Sequence, residues 1–173
     1  MNRYTQTENK YRKWAKEGRG QGRSDTYKPW LTIQDVPSYG RSHRVLSATN
    51  GRVVHLFSDL EFYAFLVADW ECGVSDIREQ YPLSRDLTCS IADSLNVRHP
   101  QAHQTEMVMT TDLLLDQHSA QYPLRAIQVK PSAMQHDPRT EQKLVIEKRF
   151  WESMNISFKI VTEKSYDANY IEN

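Results

Sequence analysis

Residues 107–131 constrain the fold more than any other part of the chain. MVMTTDLLLDQ (107–117) has an apolar centre at 113–115, and LRAIQVKP (124–131) is a second apolar run closed by Pro131. The link between them, HSAQYP, is too short for a helical crossover, so the two runs are predicted to pair as an antiparallel hairpin. The segments around this pair supply covering layers. SDLEFYAFLVADW (58–70) reads as a helix with Ser58 as N-cap and Asp59 and Glu61 at its positive end. It is apolar nearly all round, through Leu60, Phe62, Phe65, Leu66, Val67 and Trp70, and is expected to be buried. Residues 74–81 look extended, and 84–95 suit a second helix. Residues 137–154 form an amphipathic helix with Pro138 near its first turn, and ISFKIVT (156–162) is a last strand. The expected class is α/β, a mixed central β-sheet flanked by α-helices.

Upstream the pattern is less regular. Residues 7–17 suit a short helix ended by Gly18 and Gly20. GRGQGRSDTYKP reads as loop, and Thr32 is placed to cap a short helical turn, IQDV, before Pro37. Residues 43–57 read as two short strands around Thr49-Asn50-Gly51, because Asn-Gly is a strong hairpin signal.

A chain of 173 residues suits one domain with a real core. No apolar run approaches the roughly 18 residues that a membrane helix needs. The N-terminus lacks a secretory pattern, so a cytoplasmic protein is expected. Cys72 and Cys89 form no C-x-x-C pair, and no group of four clustered Cys/His ligands suggests structural zinc. His99 and His103 are four apart, but Pro100 opposes a shared helix face. Net charge is zero, unevenly spread: residues 1–50 hold 10 Lys+Arg against 4 Asp+Glu (+6), and residues 51–173 hold 12 against 18 (−6). A basic arm on an acidic body suits a protein that holds phosphates with one part and metal ions with another, or simply a solvated arm.

The chemistry sits on the hairpin. A strand has period two, so Gln128 and Lys130 share one face and Ile127 and Val129 the other. Asp112 opens the neighbouring strand, and Glu61 in the first turn of the buried helix can add a second carboxylate. Mg²⁺ takes oxygen ligands, typically one or two carboxylates plus waters and phosphate oxygens. Asp112, Glu61, the Gln128 side-chain oxygen and the Val129 carbonyl form such a set. Lys130 is placed to orient a water and stabilise negative charge in phosphodiester hydrolysis. Plainer readings exist. Ser58-x-x-Glu61 is also a capping box. Asp112, Gln128 and Lys130 could be an ordinary strand start, polar patch and strand end, since the D-x(15)-Q-x-K spacing alone is weak.

EGRGQG (17–22), PWLT (29–32), VPSYGRSHRV (36–45), GRVVHLFSDLE (51–61), DIREQYPL (76–83), MTTD (109–112) and AIQVKP (126–131) together resemble the TnsA family, endonuclease subunits of heteromeric cut-and-paste bacterial transposases. The resemblance implies a restriction-endonuclease-like core similar to the cleavage domain of FokI, with Gln128 where most of that superfamily carries a carboxylate. It implies Glu61, Asp112, Gln128 and Lys130 as catalytic residues, with Mg²⁺ as cofactor and Mn²⁺ as a substitute. It also implies a bacterial, nucleoid-associated role on double-stranded DNA at transposon ends. There the subunit nicks the 5′ strands, the DDE-type transposase TnsB cuts and joins the 3′ ends, and the AAA+ ATPase TnsC regulates both. Residues 1–50 are expected to be a basic helix-and-loop part of the same unit and 51–173 the nuclease core. The winged-helix-like C-terminal domain common in the family is expected to be absent or truncated. Phosphate contacts are expected from Arg19, Arg23 and Lys28 in the Gly-rich loop, where glycines permit close backbone approach, and from Arg41, His43 and Arg44. The alternative for Arg41 and Arg44 is bracing of the hairpin that follows. Two other functions compete: a stand-alone restriction or repair nuclease, and a non-catalytic scaffold carrying a relic site.

Overall fold

In chain order the elements are α1 (Glu8–Lys16), β1 (His43–Leu46), β2 (Val53–Leu56), α2 (Asp59–Trp70), β3 (Val74–Pro82), α3 (Arg85–Ser94), β4 (Gln101–Ala102), β5 (Thr105–Glu106), β6 (Thr110–Gln117), β7 (Leu124–Val129), α4 (Pro138–Ser153) and β8 (Ser157–Val161). The structure is a computed structural model that describes residues 6–36, 40–118, 121 and 123–165. Pro37 and half of the link between β6 and β7 lie outside the described residues.

The central sheet has the order β3-β6-β7-β8. The predicted hairpin forms: β6 and β7 pair antiparallel, Leu113 opposite Ile127. β3 adds antiparallel to β6, and β8 adds parallel to β7 after the α4 crossover, so the sheet is mixed. Its two faces follow the strand period. Leu113, Leu115, Ile127 and Val129 pack with Ala64, Phe65 and Ala68 of α2 and with Val54 and Leu56 of β2. Leu114 and Ala126 pack with Ala92 of α3 and with Ile146, Phe150 and Trp151 of α4. Each large side chain fully buried this way stabilises the fold by roughly 1.5–3 kcal/mol.

Three expectations change. First, α2 is buried along one face, not all round: Ala64, Phe65 and Ala68 are inside, whereas Trp70 at its last position is 83% exposed. Second, residues 33–35 make a turn rather than a helix. Asp35 is the capping group, taking the Thr32 N–H (2.9 Å) and hydroxyl (2.7 Å). Third, the two strands form around Thr49-Asn50-Gly51 but stop short of it, so the β1–β2 connection spans residues 47–52. Ser47 N–H donates to Arg52 O and Gly51 N–H to Ser47 O, with Gly51 at φ +68°. Within that loop Asn50 has a larger role than turning the chain. Its amide donates to Ile77 O and Asp76 Oδ1 (both 2.8 Å), and its oxygen accepts Ile77 N–H (3.0 Å), so it satisfies the free edge of β3.

The N-terminal segment is tied to this core. The buried Gln6 amide brackets the Val108 backbone, Trp14, Trp30, Leu31 and Val108 form a small cluster, and Tyr27 donates its hydroxyl to Glu79 O. The glycines of GRGQG serve packing here. A Cβ on Gly20 would lie 2.2 Å from Pro82 Cγ, and one on Gly22 2.5 Å from Thr26 O. Their close approach is to the protein's own chain.

Candidate active site

Asp112 is the organising carboxylate. It is 6% exposed, and its Oδ2 accepts the Val129 N–H at 2.7 Å while its Oδ1 accepts the Gln80 amide at 3.2 Å. Its own N–H donates to Gln128 Oε1 at 3.1 Å. The β6–β7 ladder thus gives way, at its open end, to side chains that grip the neighbouring backbone. Lys130 lies just past the end of β7. Its ammonium donates to Val129 O (2.9 Å) and stands 3.7 Å from Asp112 Oδ2. Burial alone would lower the Lys130 pKa, but Asp112, Glu147 and Glu61 outweigh it and raise it, so the lysine is a firm cation.

Glu61 braces the start of α2. Its N–H donates to Ser58 Oγ, and its carboxylate accepts the Ser58 hydroxyl (3.3 Å) and Phe57 N–H (3.0 Å), one residue before the N–H that a capping box would engage. Its pKa is nevertheless raised, first by burial and then by the Asp112 charge, and both carboxylates line one cleft.

Sequence reasoning missed two members of the site. Glu147 of α4 is 3% exposed, and its Oε1 accepts the Thr111 hydroxyl at 2.6 Å; Thr111 in turn accepts the Trp151 indole N–H. Burial pushes the Glu147 pKa up to about 8 despite that hydrogen bond, with Asp112 adding to the rise. A signal was present: Leu144, Glu147 and Trp151 share one helical stripe, and a carboxylate inside an apolar stripe is costly without a purpose. The other is Gln80, with φ +46° inside β3. Residues 79 and 81 pair with 113 and 111, and the bend at Gln80 carries its side chain to Asp112 and to the Thr110 hydroxyl (3.0 Å). Nothing in the sequence marks that φ.

Glu61, Gln80, Asp112, Gln128, Val129, Lys130 and Glu147 line one cleft of about 580 Å³. Lys143 also lines it, and its pKa is lowered by burial first and then by Arg139 and Lys130. The donor set fits a hard divalent cation: all candidate ligand atoms are oxygens, and one cation, the Lys130 ammonium, already draws on Val129 O and Asp112. Burial first, and then the Asp112 charge, raises the pKa values of both Glu61 and Glu147. Among the described residues the three carboxylates do not close within 4.8 Å of one another.

The expected DNA-contact residues separate into two groups. Arg19 is spent internally, on Asp35 (2.6 Å), Glu17 (3.0 Å) and Trp30 O (3.0 Å), with its guanidinium over the Trp14 ring. Arg23 pairs with Asp116 (3.1 Å), four residues along β6 from Asp112, and the Lys28 ammonium donates to Glu17 O. This loop is therefore knitted to the protein body. Arg41 and His43, by contrast, both meet Asp59 (4.0 and 2.7 Å), in the same helical turn as Glu61, and His43 stacks on Phe62. Arg44 is exposed on β1.

A family profile described as TnsA-like endonuclease, N terminal, matches residues 73–163. The Transposon Tn7 transposition protein TnsA of Escherichia coli is 48% identical over 158 residues, which is 91% of this chain. The chain belongs to the TnsA-like endonuclease family. The family match contains Asp112, Gln128, Lys130 and Glu147, while Glu61 precedes it. The chain spans 58% of the length of that Escherichia coli relative. The mixed sheet with helices on both faces is consistent with the restriction-endonuclease-like core implied by the resemblance. Among the described residues no helix is long and apolar enough to cross a membrane.

Proposed function

We propose that this chain is a divalent-cation-dependent DNA endonuclease, with Mg²⁺ as its ion, that cuts the 5′ strands at transposon ends. It works beside a DDE-type transposase of the TnsB kind, which handles the 3′ ends, under an AAA+ ATPase of the TnsC kind, in the bacterial cytoplasm. The observation that carries this reading is the cleft itself. Asp112 is locked between Gln80 and Val129, with Lys130 beside it and Glu61 lining the same cleft. Such a set of fixed oxygens and one fixed cation suits phosphodiester hydrolysis.

Asp112, Glu61, the Gln128 side-chain oxygen and the Val129 carbonyl are the groups that would hold the cation. When bound, it polarises the scissile phosphate and favours charge on the leaving oxygen. The protein's own groups do the rest. Lys130 orients the attacking water and faces the negative charge that grows on the phosphate. Gln80 and Val129 N–H hold Asp112 in one rotamer, so little reorganisation is needed as charge moves. Lys143 contacts the phosphate backbone from α4, and Arg41, His43 and Arg44 approach it from the other side of the cleft, with no base readout. Arg23 and Lys28 remain outer contacts at most, because Asp116 and Glu17 hold them.

The test is cleavage of end DNA by the wild type and by Lys130→Ala with the transposase present. A fixed donor of this kind is worth about 10²–10³-fold in rate. A Lys130→Ala protein that cuts at the wild-type rate removes Lys130 from the mechanism.

A further inference from the structure

The loop between α3 and β6 brings together three donors away from the cleft. Cys89 of α3, His99 and Glu106 of β5 offer ligand atoms that all lie within 4.8 Å of one another. His99 is 6% exposed, and Cys89 and Glu106 are half-buried. The ring Nδ1 of His99 stands 2.7 Å from Glu106 Oε2 and 3.2 Å from Pro100 O, and its Nε2 stands 3.0 Å from Thr88 Oγ1.

Proton counting shows what this arrangement requires. Thr88 has one hydroxyl hydrogen, and that oxygen lies 3.0 Å from the carbonyls of both Ser84 and Arg85 on its own helix. A helical Thr donates back to such a carbonyl. With Thr88 donating to its helix, its oxygen is an acceptor and Nε2 carries the ring hydrogen; with Thr88 donating to Nε2 instead, Nδ1 carries it and donates to Glu106. In the first arrangement Nδ1 is a lone pair facing a carboxylate and a carbonyl, in one cluster with the Cys89 sulfur. A cation satisfies such a point. A second ring proton is one solution, but it makes no use of the sulfur. A thiolate, a neutral imidazole and a carboxylate together suit zinc and balance its charge. Gln101 donates to the other Glu106 oxygen and so fixes the carboxylate from behind, as an outer partner of a ligand does.

We propose that Cys89, His99 through Nδ1, and Glu106 form a zinc-binding site, with water in the fourth position, which clasps the β4–β5 hairpin to α3. Tetrahedral zinc keeps its donors about 3.3–3.8 Å apart, from bond lengths of 2.0–2.3 Å; the Nδ1–Oε2 pair, now 2.7 Å apart, has to open while the sulfur closes in. The clasp has a consequence for the cleft. Met107, Val108 and Met109 follow Glu106 directly and line the active-site wall, so zinc would hold that wall in place.

The experiment is a Co²⁺ titration of metal-stripped protein carrying Asp112→Ala, which removes the main carboxylate of the cleft. Co²⁺ is the spectroscopic stand-in for zinc. The expected result is a near-ultraviolet thiolate-to-cobalt band with intense visible bands, saturating near one equivalent and erased by Zn²⁺. Cys89→Ser should abolish the near-ultraviolet band, Cys72→Ser should keep it, and Zn²⁺ should raise the thermal midpoint of the parent but not of Cys89→Ser. Absence of the band in the parent, or its survival in Cys89→Ser, overturns the proposal. So does equal thermal protection by Zn²⁺ in both proteins. Cys89→Ser changes one half-buried atom, and far-ultraviolet circular dichroism identifies a variant that has failed to fold.

Discussion

Replacing Glu147 by Gln should make the metal-free protein more stable at high pH and change it little in acid. The carboxyl is buried and its pKa rises from 4.5 to about 8, mainly through desolvation. A carboxyl whose pKa is higher folded than unfolded favours the fold in its protonated form. That stability is complete below the unfolded pKa, falls as pH rises through the window from 4.5 to about 8, and is gone above it. The full rise corresponds to about 5 kcal/mol, of which about 3 kcal/mol is lost by neutral pH. Gln keeps an oxygen for the Thr111 hydroxyl and carries no titrating proton. The assay is urea unfolding in a chelator, for both proteins, at about pH 5 and about pH 9. The wild type should lose several kcal/mol more than Glu147→Gln between the two conditions. Parallel losses would refute the reasoning, because they would mean that Glu147 ionises as freely in the folded protein as in the unfolded chain.

Four further outcomes follow from the same geometry. Divalent-cation binding should strengthen as pH rises toward 8 and beyond, since Glu61 and Glu147 must lose protons held by burial and by Asp112; calorimetric titration with Mg²⁺ at stepped pH would measure it. Asn50→Ala should cost about 1–3 kcal/mol in denaturant unfolding, because it leaves the buried Ile77 N–H without its partner, while Arg52 still donates to Ile77 O and Ser24 N–H to Asp76. Gln80→Gly should keep the backbone conformation but free Asp112, lowering cleavage while leaving stability within about 1 kcal/mol; equal stability with full activity would show that Gln80 positions nothing. Arg41→Ala with Arg44→Ala should weaken DNA binding and flatten its salt dependence, with a slope change of about two; an unchanged slope would take both residues off the interface.

Much of this architecture was legible in the sequence because the informative segments are strongly periodic. The 113–115 and 124–129 runs could pair only one way across so short a link, and the capped segments at 58 and 137 could only be helices. The site was legible to the extent that it follows strand period: Asp112, Gln128 and Lys130 come together because the β6–β7 ladder puts them there. What was not legible depends on long-range packing. Glu147 reaches the site only because α4 crosses over the β6–β7 face. Gln80 reaches it through one left-handed residue in a strand. The Gly-rich loop looked suited to a phosphate, but Gly20 and Gly22 answer to Pro82 and Thr26, which sequence spacing does not reveal. Cys89, His99 and Glu106 are too far apart in the chain to read as a motif, and a small β4–β5 hairpin joins them.

The central claim is that the Asp112 cleft cuts the 5′ strand. Strand-specific cleavage of transposon-end DNA with Mg²⁺ and the cognate transposase, comparing wild type with Asp112→Ala, tests it most directly. The account predicts that the variant loses the 5′-strand cut and keeps the 3′-strand cut. A variant that still cuts the 5′ strand would contradict the account and point to a scaffold with the chemistry elsewhere.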